Sequence, residues 1–254
     1  MPDQVVVEVQ GRVMTIRMNR PEKKNALTGA MYNAMSDAIR RAEADPHVRS
    51  VLITGTQDCF TAGNDLADFA VAQPGEPVPA MVFLQVLSAA PKPIVAAVAG
   101  VAVGIGTTML LHCDLVYAAR SARFQLPFVN LGLCPEAGSS MILPAMAGYH
   151  RAAELLMLGE PFSAEMAREI GLVNQVVEEG ELFSLSAAKA QALAEKPPAA
   201  MRATKSLMKG HVTAEIAEAM NAEAAQFGVL LQGPEAKEAM AAFMERRKPD
   251  WSKF

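Results

Sequence analysis

Glu136 is a carboxylate, a group able to move a proton, set among apolar residues. It stands in Leu133-Cys134-Pro135-Glu136-Ala137-Gly138, with Leu131 just upstream, and these apolar neighbours would desolvate the carboxylate and raise its pKa. Taken alone, the residue reads first as a first-turn carboxylate that complements the dipole of a following helix, which would oppose that rise. A second chemical feature begins at Lys92-Pro93-Ile94-Val95-Ala96-Ala97-Val98-Ala99-Gly100 and continues through Gly104-Ile105-Gly106-Thr107-Thr108. It reads as a short apolar strand, a glycine turn and a helix starting at Thr107. Such a junction leaves backbone N–H groups free to hold an oxygen that becomes negative during a reaction.

Other candidate groups carry less. His112-Cys113-Asp114 bridges a helix end and a strand and reads as structural. Ser139 and Ser140 lack the Gly-x-Ser-x-Gly elbow of a nucleophilic serine. Gly104-Ile105-Gly106-Thr107-Thr108-Met109 lacks the third glycine of a dinucleotide fingerprint, and no acidic residue lies about twenty positions further on. From Ile94 to Leu111 there are 18 residues without a charge, near the minimum for a membrane helix. Three glycines, two threonines and the preceding Lys-Pro fit a buried strand, turn and helix better.

Alternating strands and helices must position these groups. Val5–Val9 and Val13–Met18 read as a β-hairpin, and Thr28 as the N-cap of a helix carrying Met31, Met35, Ile39 and Ala42. A strand is expected over Val48–Thr54, then a turn at Cys59-Phe60-Thr61-Ala62-Gly63-Asn64-Asp65-Leu66 leading into a short helix. A proline-rich loop at Gln73–Pro79 and a helix over Met81–Leu87 precede the central stretch. Beyond it come strands at Asp114–Ala118, Phe124 and Leu172–Val177, with helices at Ser139–Ala147, Arg151–Leu158 and Ala164–Ile170. From Glu181 the chain reads as helical and amphipathic, broken at Lys196-Pro197-Pro198. The order points to an α/β core with parallel strands.

Composition narrows the function classes. The 254 residues suffice for a full core, and 51% are hydrophobic. With 23 basic and 27 acidic residues and a net charge of −4, nucleic acid is not the expected partner. Three widely spaced cysteines, Cys59, Cys113 and Cys134, show no zinc spacing and suit a reducing compartment. The start of the chain shows no export signal, so a cytoplasmic protein without a membrane anchor is expected.

With these residues in view, the sequence resembles the crotonase, or enoyl-CoA hydratase/isomerase, superfamily. The resemblance rests on Asn19-Arg20-Pro21 with Asn25-Ala26-Leu27, Phe60 to Leu66, Lys92 to Gly100, Gly104 to Asp114, and Gly171-Leu172-Val173, in that order. It implies a spiral of ββα units over 1–195 and a helical C-terminal region over 196–254 that builds a homotrimer or hexamer. It also implies an acyl-CoA thioester as partner and a place in fatty-acid β-oxidation. The backbone N–H groups of Asn64 and Ile105 match the family's oxyanion hole. Lys24, Ala26, Ala62, Gly63, Asp65, Leu66, Gly106, Phe128 and Leu133 match substrate-binding positions.

The resemblance is nearest to the peroxisomal type of Δ3,Δ2-enoyl-CoA isomerase, whose catalytic glutamate matches Glu136. Hydratases of the superfamily hold a water between two glutamates at positions that here are Thr108 and Phe128, neither of which is a general base near neutral pH. The implied activity is therefore isomerisation of a 3-enoyl-CoA through an enolate, with no metal or redox cofactor and with CoA as part of the substrate. The alternatives are hydration or another crotonase-type acyl-CoA reaction with a different base, or acyl-CoA binding without catalysis.

Overall fold

Two valine-rich segments open the fold as a hairpin, β1 (Val5–Gln10) paired antiparallel with β2 (Val13–Met18). The computed structural model describes residues 3–65 and 78–254. The short helix expected at Leu66 and most of the proline-rich loop lie outside the described residues. After the hairpin, Thr28 caps α1 (Gly29–Ala44), its hydroxyl accepting from Met31 N at 3.3 Å. β3 (Ser50–Thr54), β4 (Ile94–Val98), β6 (Leu115–Ala119) and β9 (Gln175–Val177) then add to β2 in parallel, giving the order β1-β2-β3-β4-β6-β9.

This sheet is covered on both faces, which explains its continuous apolar strands. Alternate residues take opposite sides. Ile94, Ala96 and Val98 of β4 enter the main core with α1 and α2 (Pro79–Ala89), whereas Val95 and Ala97 pack under Leu182, Ala190 and Ala194. Those last three belong to α7 (Leu182–Ala194), which lies across β3, β4 and β6.

The central stretch departs from its expected form. Instead of turning straight into a helix, the chain makes a further strand, β5 (Val101–Val103), before α3 (Ile105–Thr108) and a tighter turn over Met109–His112. Gly100 makes the corner, with φ +62° and Asp58 O only 1.9 Å from where a Cβ would sit. β5 leaves the large sheet and pairs with β7 (Arg123–Gln125), which pairs with β8 (Phe162–Ser163). β7 falls on the short strand expected at Phe124, whereas β5 and β8, at three and two residues, are too short to display a period in the sequence. The result is the spiral of ββα units, with β4 and β6 in the large sheet and β5 and β7 in the small one.

The later helices are α4 (Ser139–Ala147), α5 (Tyr149–Ala153) and α6 (Ala164–Glu169). α5 continues into a wider turn over Glu154–Leu158. The strand expected from Leu172 starts only at Gln175, because Leu172 N and Val173 N both bond to Ala167 O and close α6. After the break at Pro197, α8 (Pro198–Gly210), α9 (Thr213–Gln232) and α10 (Pro234–Met244) fold back on the core. Lys205 of α8 donates to Lys92 O at 2.8 Å and to Asp114 Oδ2 at 2.6 Å, joining that helix to the base of the central stretch.

Candidate active site

Two loops approach each other at one end of the sheets. In the first, Leu27 N bonds to Gly63 O at 2.8 Å and Asp65 N to Leu27 O at 2.9 Å. A parallel bridge of this kind uses the residues on either side of Asn64, so Asn64's own N–H faces away from Leu27. In the second, Gly104 starts α3 with φ +55°, and its carbonyl takes Thr107 N and Thr108 N. Among the described residues, the N–H groups of Asn64, Ile105 and Gly106 donate to no protein acceptor. The loops are close because Gly63 has no side chain: a Cβ there would stand 2.8 Å from Val103 O.

A cavity of about 650 Å³ opens over these loops. Asn64, Ile105, Ala26, Ala62, Gly63 and Asp65 form one wall, and Phe128 and Leu133 another. Phe227 of α9 and Met240, Phe243 and Met244 of α10 also line it, although nothing local in these helices distinguishes them from packing surface. Of the other expected residues, Lys24 is exposed and not part of the lining, its neighbour Lys23 standing at the wall instead. Gly106 is buried behind Ile105, and Leu66 lies outside the described residues. Asp65 is paired with Arg20 at 2.6 Å, and the same guanidinium donates to Ala26 O at 2.9 Å, which braces this wall.

Glu136 sits behind the lining, 6% exposed. Burial first, and then the charge of Glu223, push its carboxyl up to about 7, while the bond from Thr108 opposes the shift. That bond is long, Thr108 Oγ1 to Glu136 Oε1 at 3.4 Å. Thr108 lies three residues after Ile105 and Glu136 three after Leu133, so both cavity walls run directly into the carboxylate. Tyr32 of α1 completes the connection. Its hydroxyl is hydrogen-bonded to Asn64 Oδ1, and burial together with the charge of Glu136 raises its pKa well above the usual phenol value, so it remains a neutral donor.

The loop carrying Glu136 is tightly held. Ala137 and Gly138 are both left-handed, at φ +63° and +71°, an unusual conformation for alanine. Ser139 Oγ donates back to Glu136 O at 2.6 Å. His112 is buried and neutral, its pKa pushed down to about 4 mainly by burial. Its Nε2 is 2.8 Å from Ala137 O, and since a carbonyl only accepts, that nitrogen carries the proton. At the start of α4, Gly138 N at 2.6 Å and Ser140 N at 2.9 Å go to the Glu223 carboxylate, while Ser139 N goes to the Glu136 backbone carbonyl at 3.0 Å, and the Glu136 carboxylate takes none of the three. The helix-end role open to Glu136 in the sequence is thus filled by another carboxylate. Tyr32, His112 and Glu223 were not foreseen as site residues, since each reads locally as helix surface or core. A buried phenol needs a polar partner, and that was the one available hint for Tyr32.

The chemistry within reach is proton transfer near neutral pH beside a largely apolar cavity whose lining includes the unpaired N–H groups of Asn64 and Ile105. The sequence profile of the enoyl-CoA hydratase/isomerase family matches residues 8–253. The chain is 33% identical to a 1,2-epoxyphenylacetyl-CoA isomerase of Escherichia coli over 257 aligned residues, 98% of each protein. It is 38% identical to enoyl-CoA delta isomerase 2 of Rattus norvegicus over 212 residues, which are 81% of this chain and 54% of the rat protein. The crystal structure of an enoyl-CoA hydratase/isomerase from Pseudoalteromonas atlantica superposes with a TM-score of 0.94 at 41% identity, over 98% of this chain and all (100%) of that one. With the fold, the length and the order of its loops all shared, the chain belongs to the enoyl-CoA hydratase/isomerase family.

Proposed function

We propose that this enzyme is a Δ3,Δ2-enoyl-CoA isomerase. The thioester oxygen of a 3-enoyl-CoA accepts from the N–H groups of Asn64 and Ile105, with the acyl chain directed toward Glu136. The Glu136 carboxylate removes a proton from C2, and the electron pair moves onto the thioester as an enolate. The double bond then forms between C2 and C3 as C4 takes the same proton back from the carboxyl group. Nothing is added or lost, so one base suffices, without metal or redox cofactor, and CoA enters only as part of the substrate.

The observation that carries this reading is the Glu136 carboxyl, buried beside the cavity and pushed up to about 7, together with the unpaired N–H groups of the cavity-lining Asn64 and Ile105. A base poised near the working pH is ionised often enough to take a proton and acidic enough to return it. Thr108 and Phe128 supply no carboxylate for the water of a hydratase. The rat relative's name as a delta isomerase lends further support.

The test compares trans-3-hexenoyl-CoA with crotonyl-CoA in a coupled assay, for the wild type and for Glu136→Gln. Glutamine keeps the size but accepts no proton, so isomerisation should fall by a factor on the order of 10² to 10⁴ with the affinity for CoA esters nearly kept. Retained hydration of crotonyl-CoA in the variant would favour a hydratase with another base. No turnover of either substrate by the wild type would favour a binding protein. Wild-type isomerisation in Glu136→Gln would remove the residue from the reaction.

A further inference from the structure

The carboxylate of Glu223 has no part in the reaction just described, yet it reaches the Glu136 loop from the C-terminal region. It projects from α9, is 7% exposed, and spends both oxygens on that loop. One accepts Gly138 N at 2.6 Å, and the other accepts Ser140 N at 2.9 Å and Ser140 Oγ at 2.5 Å. Upstream of Glu136, Cys134 Sγ lies 3.6 Å from Glu223 O. The loop is therefore clamped on both sides of Glu136 by one residue of another helix. We propose that Glu223 is a positioning residue of the proton-transfer site, holding the Cys134–Ser140 loop so that the Glu136 carboxylate stands where the base is needed. This rests on the reading of Glu136 as that base.

Three arguments favour positioning over mere packing. A carboxylate is an acceptor only, so its bonds to two backbone N–H groups and a hydroxyl fix the loop's direction as well as its distance. Ala137 is held at φ +63°, a conformation that persists only where its surroundings over-determine it, and the Glu223 contacts begin at the next residue. Finally, Glu223 brings a negative charge near Glu136, which disfavours ionisation of the base. The other polar groups there are Tyr32 from α1, the Thr108 hydroxyl from α3 and the Cys134 thiol of the same loop. His112 faces the Ala137 carbonyl as a neutral ring, and Lys209 of α8 donates to His112 O at 3.0 Å.

Two variants and two readouts test the proposal. The Glu136 carboxyl is titrated by ¹³C NMR of glutamate-labelled protein, its resonance assigned by its loss in Glu136→Gln, which requires no substrate. The pH profile of kcat/KM with trans-3-hexenoyl-CoA is the second readout. In Glu223→Gln the neighbouring charge is gone and an amide faces N–H donors. Glu136 should then titrate at lower pH, the acid limb of the profile should move the same way, and kcat should fall on the order of tenfold with KM little changed. Glu223→Asp keeps the charge but withdraws it by one methylene, so the titration should stay near wild type while kcat falls. A folded Glu223→Gln with unchanged Glu136 titration and unchanged kcat overturns the proposal. If that variant does not fold, unchanged kcat in Glu223→Asp overturns it. If the wild type isomerises nothing while the Glu136 resonance still moves in Glu223→Gln, the function proposed above is wrong, and Glu223 keeps its electrostatic contact with Glu136 but loses the role of positioning a base.

Discussion

Burying an ionisable carboxyl at Glu136 has a cost that can be read from stability. Its pKa rises from 4.5 to about 7 on folding, so the folded chain binds the proton more tightly than the unfolded one. The stabilisation from this proton is complete below about pH 4.5 and lost as pH rises through about 7, a difference of about 3 kcal/mol between those limits. Glu136→Gln removes the titration. The variant should gain stability relative to wild type at pH 8 and lose that advantage as pH falls below 6, as urea denaturation at each pH would show. A stability difference that does not change with pH would mean that Glu136 is not buried as an acid. Such a trade, stability given up for a poised base, is common at active sites.

At the scale of elements, the site depends on loops brought into contact through missing side chains. A Cβ on Gly106 would lie 2.6 Å from Thr61 Cγ2 and 3.1 Å from Thr61 O. Thr61 cannot swing aside freely, since its Oγ1 donates to Asn25 O at 2.6 Å and accepts Gly63 N at 3.1 Å. Any displacement therefore passes to Gly63 and Asn64. Gly106→Val should fold, with a far-UV circular dichroism spectrum like that of wild type, but lose turnover by a factor on the order of 10², the worth of one misplaced oxyanion donor. Unchanged turnover in this variant would separate the α3 turn from catalysis. The hairpin and α1 lie outside this chain of contacts, except where Tyr32 reaches Asn64.

At the scale of the molecule, the C-terminal helices leave large apolar side chains in water. Leu207 and Met208 of α8 are 72% and 75% exposed, Val229 of α9 is 69% exposed, and Met244 of α10 is 77% exposed. That is more apolar surface than isolated exposed residues would explain. We propose that 196–254 forms the interface of a homotrimer or hexamer. Sedimentation velocity at micromolar concentration should give a mass three or six times the 27.1 kDa of one chain, and a monomer at that concentration would exclude the assembly. Among the described residues, no helix is long and apolar enough to cross a membrane.

What the sequence determined by itself was local. Hydrophobic period marked β1 to β4, α1 and α4, because strand and helix alternation are written in neighbouring residues. Glycines at 100, 104 and 106 marked the turn, and the apolar neighbours of Glu136 pointed to the rise in its pKa that burial produces. The tertiary structure decided the rest, because the deciding partners are far apart in the chain. Glu223 is 85 residues from Gly138, and Tyr32 is 32 from Asn64. β5 became a strand only because β7 was there to pair with it. The same chain thus offered the helix end to Glu136, and packing gave that end to Glu223, leaving Glu136 buried and without a charged partner. Desolvation and charge act through space, and their magnitudes were set only when α9 folded back over the loop.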